Sequence, residues 1–221
     1  MNENKRKVAL VSPTDDHTKE VIQRAIDDDV AQFECFYGDD ASAMAVECVR
    51  SGGADLLMKG AVNTDVLLRA ALDKEHGILQ PGRVMTHISV ANIPGWQRPL
   101  IFSDAAVIPH PDILQMDAIV RYTVEAARNL GIATPKVALT NFTEKENPKF
   151  PQTAVYQEIR CRAAEGLYGD VVIGGPMDVK TALDSESGTI KGIDSPVVGN
   201  ADILIFPNIE AGNTFYKTIT L

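Results

Sequence analysis

Short runs of consecutive apolar residues alternate along this chain with longer stretches in which apolar residues return every third or fourth position. The first pattern is that of strands buried in a sheet and the second that of amphipathic helices, so their alternation predicts parallel α/β units. Val8 to Val11 opens as a strand, and Ser12-Pro13-Thr14 turns the chain into a helix that carries Val21, Ile22, Ala25 and Ile26 inward. Phe33 to Tyr37 follows as a weaker strand, then Ala41 to Ser51 as a helix with Ala45, Cys48 and Val49 inward, stopped by Gly52-Gly53. Three later segments, Ala54–Met58, Gly169–Ile173 and Ala201–Ile205, each place a small residue and an aspartate ahead of an apolar run. Such runs read as strands buried on both faces, where parallel sheets sit. Val84 to Val90 and Leu100 to Phe102 read as two further strands, joined by the hairpin-length connection Pro94 to Pro99. Pro111 to Asn129 is a long helix, stopped by Gly131 before the strand Val137 to Leu139. Gln152 to Glu165 and Asp178 to Ser185 are the remaining helices. The predicted class is therefore α/β, with mostly parallel sheets and helices on both faces. Gly, Gln and Pro cluster at residues 77–82, after a helix that ends near Asp73, and this predicts two domains, 1–77 and 78–221.

In open α/β sheets ligands collect outside the carboxyl ends of the strands, so the chemistry is sought there. Lys59-Gly60-Ala61-Val62-Asn63-Thr64-Asp65 runs from a strand end into a helix. Gly60 allows backbone to approach a ligand closely, Thr64 is a natural N-cap, and free amides at a helix start attract anions. Arg69 lies five residues beyond Thr64, where a guanidinium can fold back and grip phosphate in bidentate fashion. The same spacing supports a plainer reading, in which Arg69 bridges the surface carboxylates of Asp65 and Asp73. Ser103 and Asp104 sit just past a strand end and precede the apolar loop Ala105 to Ile108. That arrangement suits a pocket holding an aliphatic group beside a reacting carbonyl, although Asp104 as a simple turn cap fits equally. In Asn208 to Asn213, Gly212 and Asn213 tolerate positive φ and expose backbone donors where a helix starts near Asn213. A plain strand-to-helix turn is the alternative there.

Composition narrows the field further. The 221 residues are 45% hydrophobic and 23% charged, ordinary for a globular core. The longest apolar runs fall well short of the roughly 20 residues needed to cross a bilayer. The N-terminal run Val8 to Val11 is too short for a secretory signal, and a cytoplasmic protein is expected. The formal net charge of −9 argues against nucleic-acid and anionic-membrane partners. Cys35, Cys48 and Cys161 have neither disulfide nor zinc-site spacing and read as small buried residues. His17, His76, His87 and His110 form no ligand pattern and read as structural or surface residues. GxGxxG and GxxxxGK[ST] fingerprints are absent, so ordinary dinucleotide and nucleoside-triphosphate sites lack support.

Taken jointly, the segments say more. Leu57-Met58-Lys59-Gly60-Ala61-Val62-Asn63-Thr64-Asp65 with Leu68-Arg69-Ala70-Ala71-Leu72-Asp73-Lys74 closely resembles the phosphate acetyl/butyryltransferase family, particularly its butyryltransferase branch. Ser103 to Ala106, Ser195 to Asp202 and Phe206 to Lys217 match the same family in the same order, so the resemblance covers nearly the whole chain from Val8 on. It implies reversible transfer of an acyl group, butyryl or similar, between coenzyme A and inorganic phosphate to give an acyl phosphate. It also implies an isocitrate/isopropylmalate dehydrogenase-like fold of two α/β domains around a cleft, usually dimeric. Coenzyme A and phosphate are the substrates, with no metal and no bound cofactor. Arg69 matches the family's phosphate-holding arginine and, with Ser103 and Asp104, forms the expected catalytic set. Lys59, Gly60, Asn63, Thr64, Gly212 and Asn213 form the expected substrate-binding set. The family continues past the Gly-Asn-x-x-Tyr-Lys element to a Ser-Arg motif and an aspartate that contribute to binding and acid–base work. This chain stops at Leu221, so the first domain is expected to lack its returning segment. Two rivals follow: a catalytically incomplete acyl-CoA or acyl-phosphate binding remnant, and a metal-dependent decarboxylating dehydrogenase of the same fold. The second needs clustered carboxylates for a divalent metal and a nicotinamide site, neither of which these residues assemble.

Overall fold

A computed structural model describes residues 5–220. They fall into two compact units that divide between Arg83 and Val84, somewhat after the boundary expected at residues 77/78. The first contains β1 (Arg6–Val11), α1 (Asp16–Asp27), β2 (Ala31–Phe36), α2 (Ala41–Arg50), β3 (Leu56–Lys59) and α3 (Thr64–Ala71). Its three strands are parallel, in the order β2-β1-β3. Ala9, Val11 and Phe36 on one sheet face pack against Ala41, Ala45 and Leu67 of α2 and α3. Only the central strand is deeply buried, and this corrects two expectations. In β3, Leu56 is 51% exposed, because an edge strand of a three-stranded sheet has a neighbour on one side only. Helix α1 is capped by Asp15, which accepts the Thr18 N–H at 2.8 Å, yet it buries none of its residues. It leans on β2, another edge strand, so sheet lies under only part of its apolar face, and Val21 and Ile26 stay open.

The second unit contains β4 (Ser89–Ala91), β5 (Leu100–Ser103), α4 (Ile113–Asn129), β6 (Lys136–Thr140), α5 (Pro151–Ala164), β7 (Val172–Met177), α6 (Val179–Leu183), α7 (Ser185–Lys191), β8 (Ile203–Ile205) and α8 (Ile209–Ile219). Its sheet runs β4-β5-β8-β6-β7; β5, β8, β6 and β7 are parallel and β4 is antiparallel to β5. Ile101, Val137, Leu139, Ile203 and Ile205 face α4 and α5 on one side. Leu100, Phe102, Ala138 and Leu204 face α6 and α8 on the other. Alternate residues of each strand thus feed two cores, the expected consequence of a sheet covered on both faces. Helix α4 is set by a capping box, in which Asp112 accepts the Gln115 N–H while the Gln115 side chain accepts the Asp112 N–H.

Three predicted boundaries shift for identifiable reasons. The strand expected over Val84 to Val90 shrinks to β4, because the Thr86 hydroxyl and His87 N–H bond the Asp104 carboxylate instead of a neighbouring strand. The helix expected over Asp178 to Ser185 becomes two. Asp184 leaves helical geometry at φ −132°, ψ 113°, and its carboxylate caps α7 by accepting from Glu186 N–H and the Ser187 hydroxyl. The last helix starts at Ile209, with Asn208 as its N-cap, rather than near Asn213. Cys161 is exposed and the other two thiols are half-buried, so the expectation of buried cysteines fails for Cys161.

Candidate functional site

The strand order locates two crevices beside the end of β8 in the second unit. The chain leaves β5 and β6 toward the face covered by α4 and α5, whereas it leaves β8, which lies between them, toward the face covered by α8. Adjacent parallel strands whose connections depart to opposite faces open a crevice at their carboxyl ends. The end of β8 is therefore flanked by one crevice against β5 and another against β6.

Ser103 and Asp104 stand at the first. The peptide bond between them is cis, and both residues are buried, at 0% and 2% exposure. One Asp104 carboxylate oxygen accepts the N–H groups of Ala106 and Val107 at 2.7 and 2.8 Å. The other accepts the Thr86 hydroxyl at 2.7 Å and the His87 N–H at 3.1 Å. A buried carboxylate needs such donors to offset its desolvation. Asp104 is thus both turn cap and tie, and it joins the loop after β5 to the chain before β4. The Ser103 hydroxyl lies 3.2 Å from that of Thr86. His87, which sequence reasoning set aside, places its ring edge toward Tyr216 at 6.3 Å between centroids, and its buried Nδ1 has no partner among the described residues. Its tie to Asp104 spans 17 residues, and no local sequence signal announces it.

Gly212 and Asn213 close the same crevice from α8, in a manner the turn reading missed. Both lie within the helix, where the argument from positive φ does not apply. A Cβ on Gly212 would sit 2.1 Å from the carbonyl oxygen of Asp104, so only glycine lets the helix backbone rest on this loop. The Asn213 side chain donates to the carbonyl of Ala105 at 3.0 Å. The donors expected at the helix start are mostly taken: Ile209 N–H bonds Pro109 and Ala211 N–H bonds the Asn208 side chain.

In the first unit, the turn from β3 into α3 carries the other predicted residues. Asn63, not Thr64, is the N-cap; its side chain accepts the Asp65 N–H at 3.2 Å, and Thr64 is the first helical residue. Gly60 makes a close approach, but to the chain itself. A Cβ there would lie 2.5 Å from the Val11 carbonyl oxygen and 2.6 Å from that of Ser12. Lys59 turns its ammonium toward the Gly60 carbonyl at 3.4 Å. Arg69 forms no ion pair with Asp65 or Asp73 among the described residues, so the bridging reading fails. Instead it borders a cavity of about 520 Å³ between α2 and α3, together with Asp39, Asp40, Glu47, Asp73 and His76. The N–H groups of His76 and Glu75 hold the Asp73 carboxyl below its ordinary range. Among the described residues no helix is long and apolar enough to cross a membrane.

Comparison with known proteins adds a third line. Residues 5–221 match the family model described as Phosphate acetyl/butaryl transferase. A phosphate acetyltransferase of Thermotoga maritima is 33% identical over 97% of this chain and 81% of its own length. A phosphate butyryltransferase of Clostridium acetobutylicum is 39% identical over 81% of this chain, and the match covers 60% of that relative. Among solved structures, a branched-chain phosphotransacylase from Enterococcus faecalis has the same fold, with a TM-score of 0.82 at 24% identity over 97% of this chain and 84% of that one. A phosphotransacetylase from Streptococcus pyogenes superposes with a TM-score of 0.80 at 22% identity, over 96% of this chain and 80% of that one.

Proposed function

The chain belongs to the phosphate acetyl/butaryl transferase family, and from that premise we propose that it moves a short acyl group between coenzyme A and inorganic phosphate. One observation carries the reading beyond membership: the family-matching segments after β3, β5 and β8 sit at carboxyl ends of parallel strands, and those after β5 and β8 are locked together by Asp104 and Gly212. A phosphate oxygen attacks the thioester carbonyl carbon, the carbonyl oxygen takes up the charge, and the carbon–sulfur bond then breaks to release the thiolate. Such a reaction gains most from positioned anions and preorganised donors. Arg69 holds phosphate in this scheme, assisted by the turn Lys59, Gly60, Asn63 and Thr64. Ser103 offers its hydroxyl to the acyl carbonyl. Asp104, whose oxygens are all engaged, holds the His87 backbone and the Thr86 hydroxyl, which in turn meets that of Ser103, while Gly212 and Asn213 fix the loop from behind. No metal or bound cofactor takes part. A cytoplasmic homodimer and the isocitrate/isopropylmalate dehydrogenase-like type of fold belong to the same reading, and butyryl is the favoured acyl group.

The test is release of free thiol when the protein meets butyryl-CoA and phosphate, with acetyl-CoA as comparison. Arg69→Ala should lower kcat/KM for phosphate by about 10²- to 10³-fold, the loss expected when one charged stabiliser is removed. Undiminished turnover in that variant would remove Arg69 from the mechanism. Binding of butyryl-CoA by the wild-type chain without thiol release would favour a binding protein over an enzyme.

A further inference from the structure

The second crevice, between the ends of β8 and β6, opens into a cavity of about 440 Å³. Its floor is Phe206 and Phe215, whose ring centroids are 5.2 Å apart. Phe142 stands at the rim, 73% exposed and stacked edge-on against Phe150 at 4.7 Å. The polar lining includes two carboxamides, Asn141 and Asn208. The Asn141 side-chain oxygen accepts the N–H of Phe142 at 2.8 Å, and that of Asn208 accepts the N–H of Ala211 at 2.9 Å. Because a backbone N–H can meet only the oxygen, both amide orientations are fixed. Both –NH₂ groups are therefore donors that bond no protein atom among the described residues. Asn141 is itself only 8% exposed.

The charges say what this cavity rejects. Its lining holds no Lys or Arg, and it does hold Asp178. Burial pushes the Asp178 carboxyl up, but the Lys191 ammonium and the Thr181 donors outweigh it, leaving the group well below the usual carboxylate range and charged. Lys191 bonds Glu144 as well as Asp178, so the cluster is negative overall. A phosphate would meet that net negative charge with no cation in the lining to offset it. A bare hydrocarbon would leave two amide donors unpaired, a cost comparable to a lost hydrogen bond each. An uncharged chain with an apolar body and amide carbonyls satisfies both conditions.

We propose that this cavity binds the pantetheine arm of the acyl-CoA substrate, its amide carbonyls accepting from Asn141 and Asn208. The assignment rests on the acyltransferase reading and adds to it the place where the arm is held. The nucleotide half of coenzyme A is a poor rival here, because its phosphates would be brought close to Asp178. Calorimetric titration of the wild-type protein with coenzyme A, pantetheine and adenosine 3′,5′-bisphosphate tests it, alongside Asn141→Asp, Asn208→Asp and Thr214→Trp. Each aspartate keeps the oxygen that its backbone partner needs, loses the donor and adds one negative charge beside Asp178. Thr214 lines the cavity from the exposed side of α8, so tryptophan there fills the space without entering a core. Affinity for pantetheine and coenzyme A should fall about tenfold in each aspartate variant and be lost in Thr214→Trp, with bisphosphate affinity unchanged. Coenzyme A binding that is unaltered in Thr214→Trp overturns the assignment and leaves the activity standing. Weakened bisphosphate binding with intact pantetheine binding overturns it in favour of the nucleotide half. Failure of coenzyme A to bind the wild-type protein defeats the acyltransferase reading itself.

Discussion

At two positions, one in each unit, glycine lets backbone meet backbone. At Gly60 and at Gly212 glycine serves a purpose other than the ligand-facing one expected from sequence: each lets the chain approach itself. Gly212→Ala would force a methyl group to within 2.1 Å of the Asp104 carbonyl oxygen, so backbone on one side or the other must shift. The variant should lose about 3 kcal/mol of stability, at the upper end of overpacking costs, read as a lower urea midpoint at unchanged slope. An unshifted midpoint would mean that α8 lifts from the loop at little cost. Asn213 stood out from its turn-like surroundings, but its partner, the Ala105 carbonyl, is 108 positions away in the chain. The same distance effect hid His87 and Thr86, which are ordinary residues until Asp104 is folded beside them.

Elements with a strong local signal were read correctly: α4 from its long apolar period, and β8 from an apolar run that ends up fully buried. Elements shaped by distant partners were misread, as with the shortened β4 and the early start of α8. One tie between elements makes a pH prediction. Asp117 of α4 accepts from Tyr168 at 2.8 Å and from Arg162 of α5 and its own-helix Arg121 at 3.1 Å each. Burial raises the Asp117 carboxyl, but these three donors outweigh it and hold it below its ordinary value. A group depressed in the folded state stabilises above its unfolded pKa, near about 3.9, and loses that contribution as pH falls through the folded value. Asp117→Asn should therefore cost about 2 kcal/mol at neutral pH. Its deficit relative to wild type should shrink as pH drops below about 4, measured by denaturant titration across pH. A deficit that stays constant down to low pH would assign the loss to shape rather than charge.

At the scale of the molecule, α/β class follows from the alternation of patterns, while the depth of burial does not. A three-stranded sheet leaves β3 and α1 open, and a five-stranded one buries β8 completely, a difference set by sheet width that no single segment encodes. Charge is the property that was legible in full, and it bears on substrate capture. The chain carries −9, and Arg69 shares its cavity with Asp39, Asp40, Glu47 and Asp73, so an approaching anion meets repulsion both far away and near. Both proposed substrates are anions. Screening shortens this field from about 30 Å at 0.01 M salt to about 10 Å at 0.1 M. For an attractive site added salt slows capture; for this one it should speed it. The kcat/KM for butyryl-CoA at fixed phosphate should rise about 2- to 5-fold over that interval of sodium chloride, with kcat much less affected, since steering acts on encounter. A fall over the same range would mean that the guanidinium and helix-start donors dominate the field felt by the substrate, and that the acidic surface is a bystander.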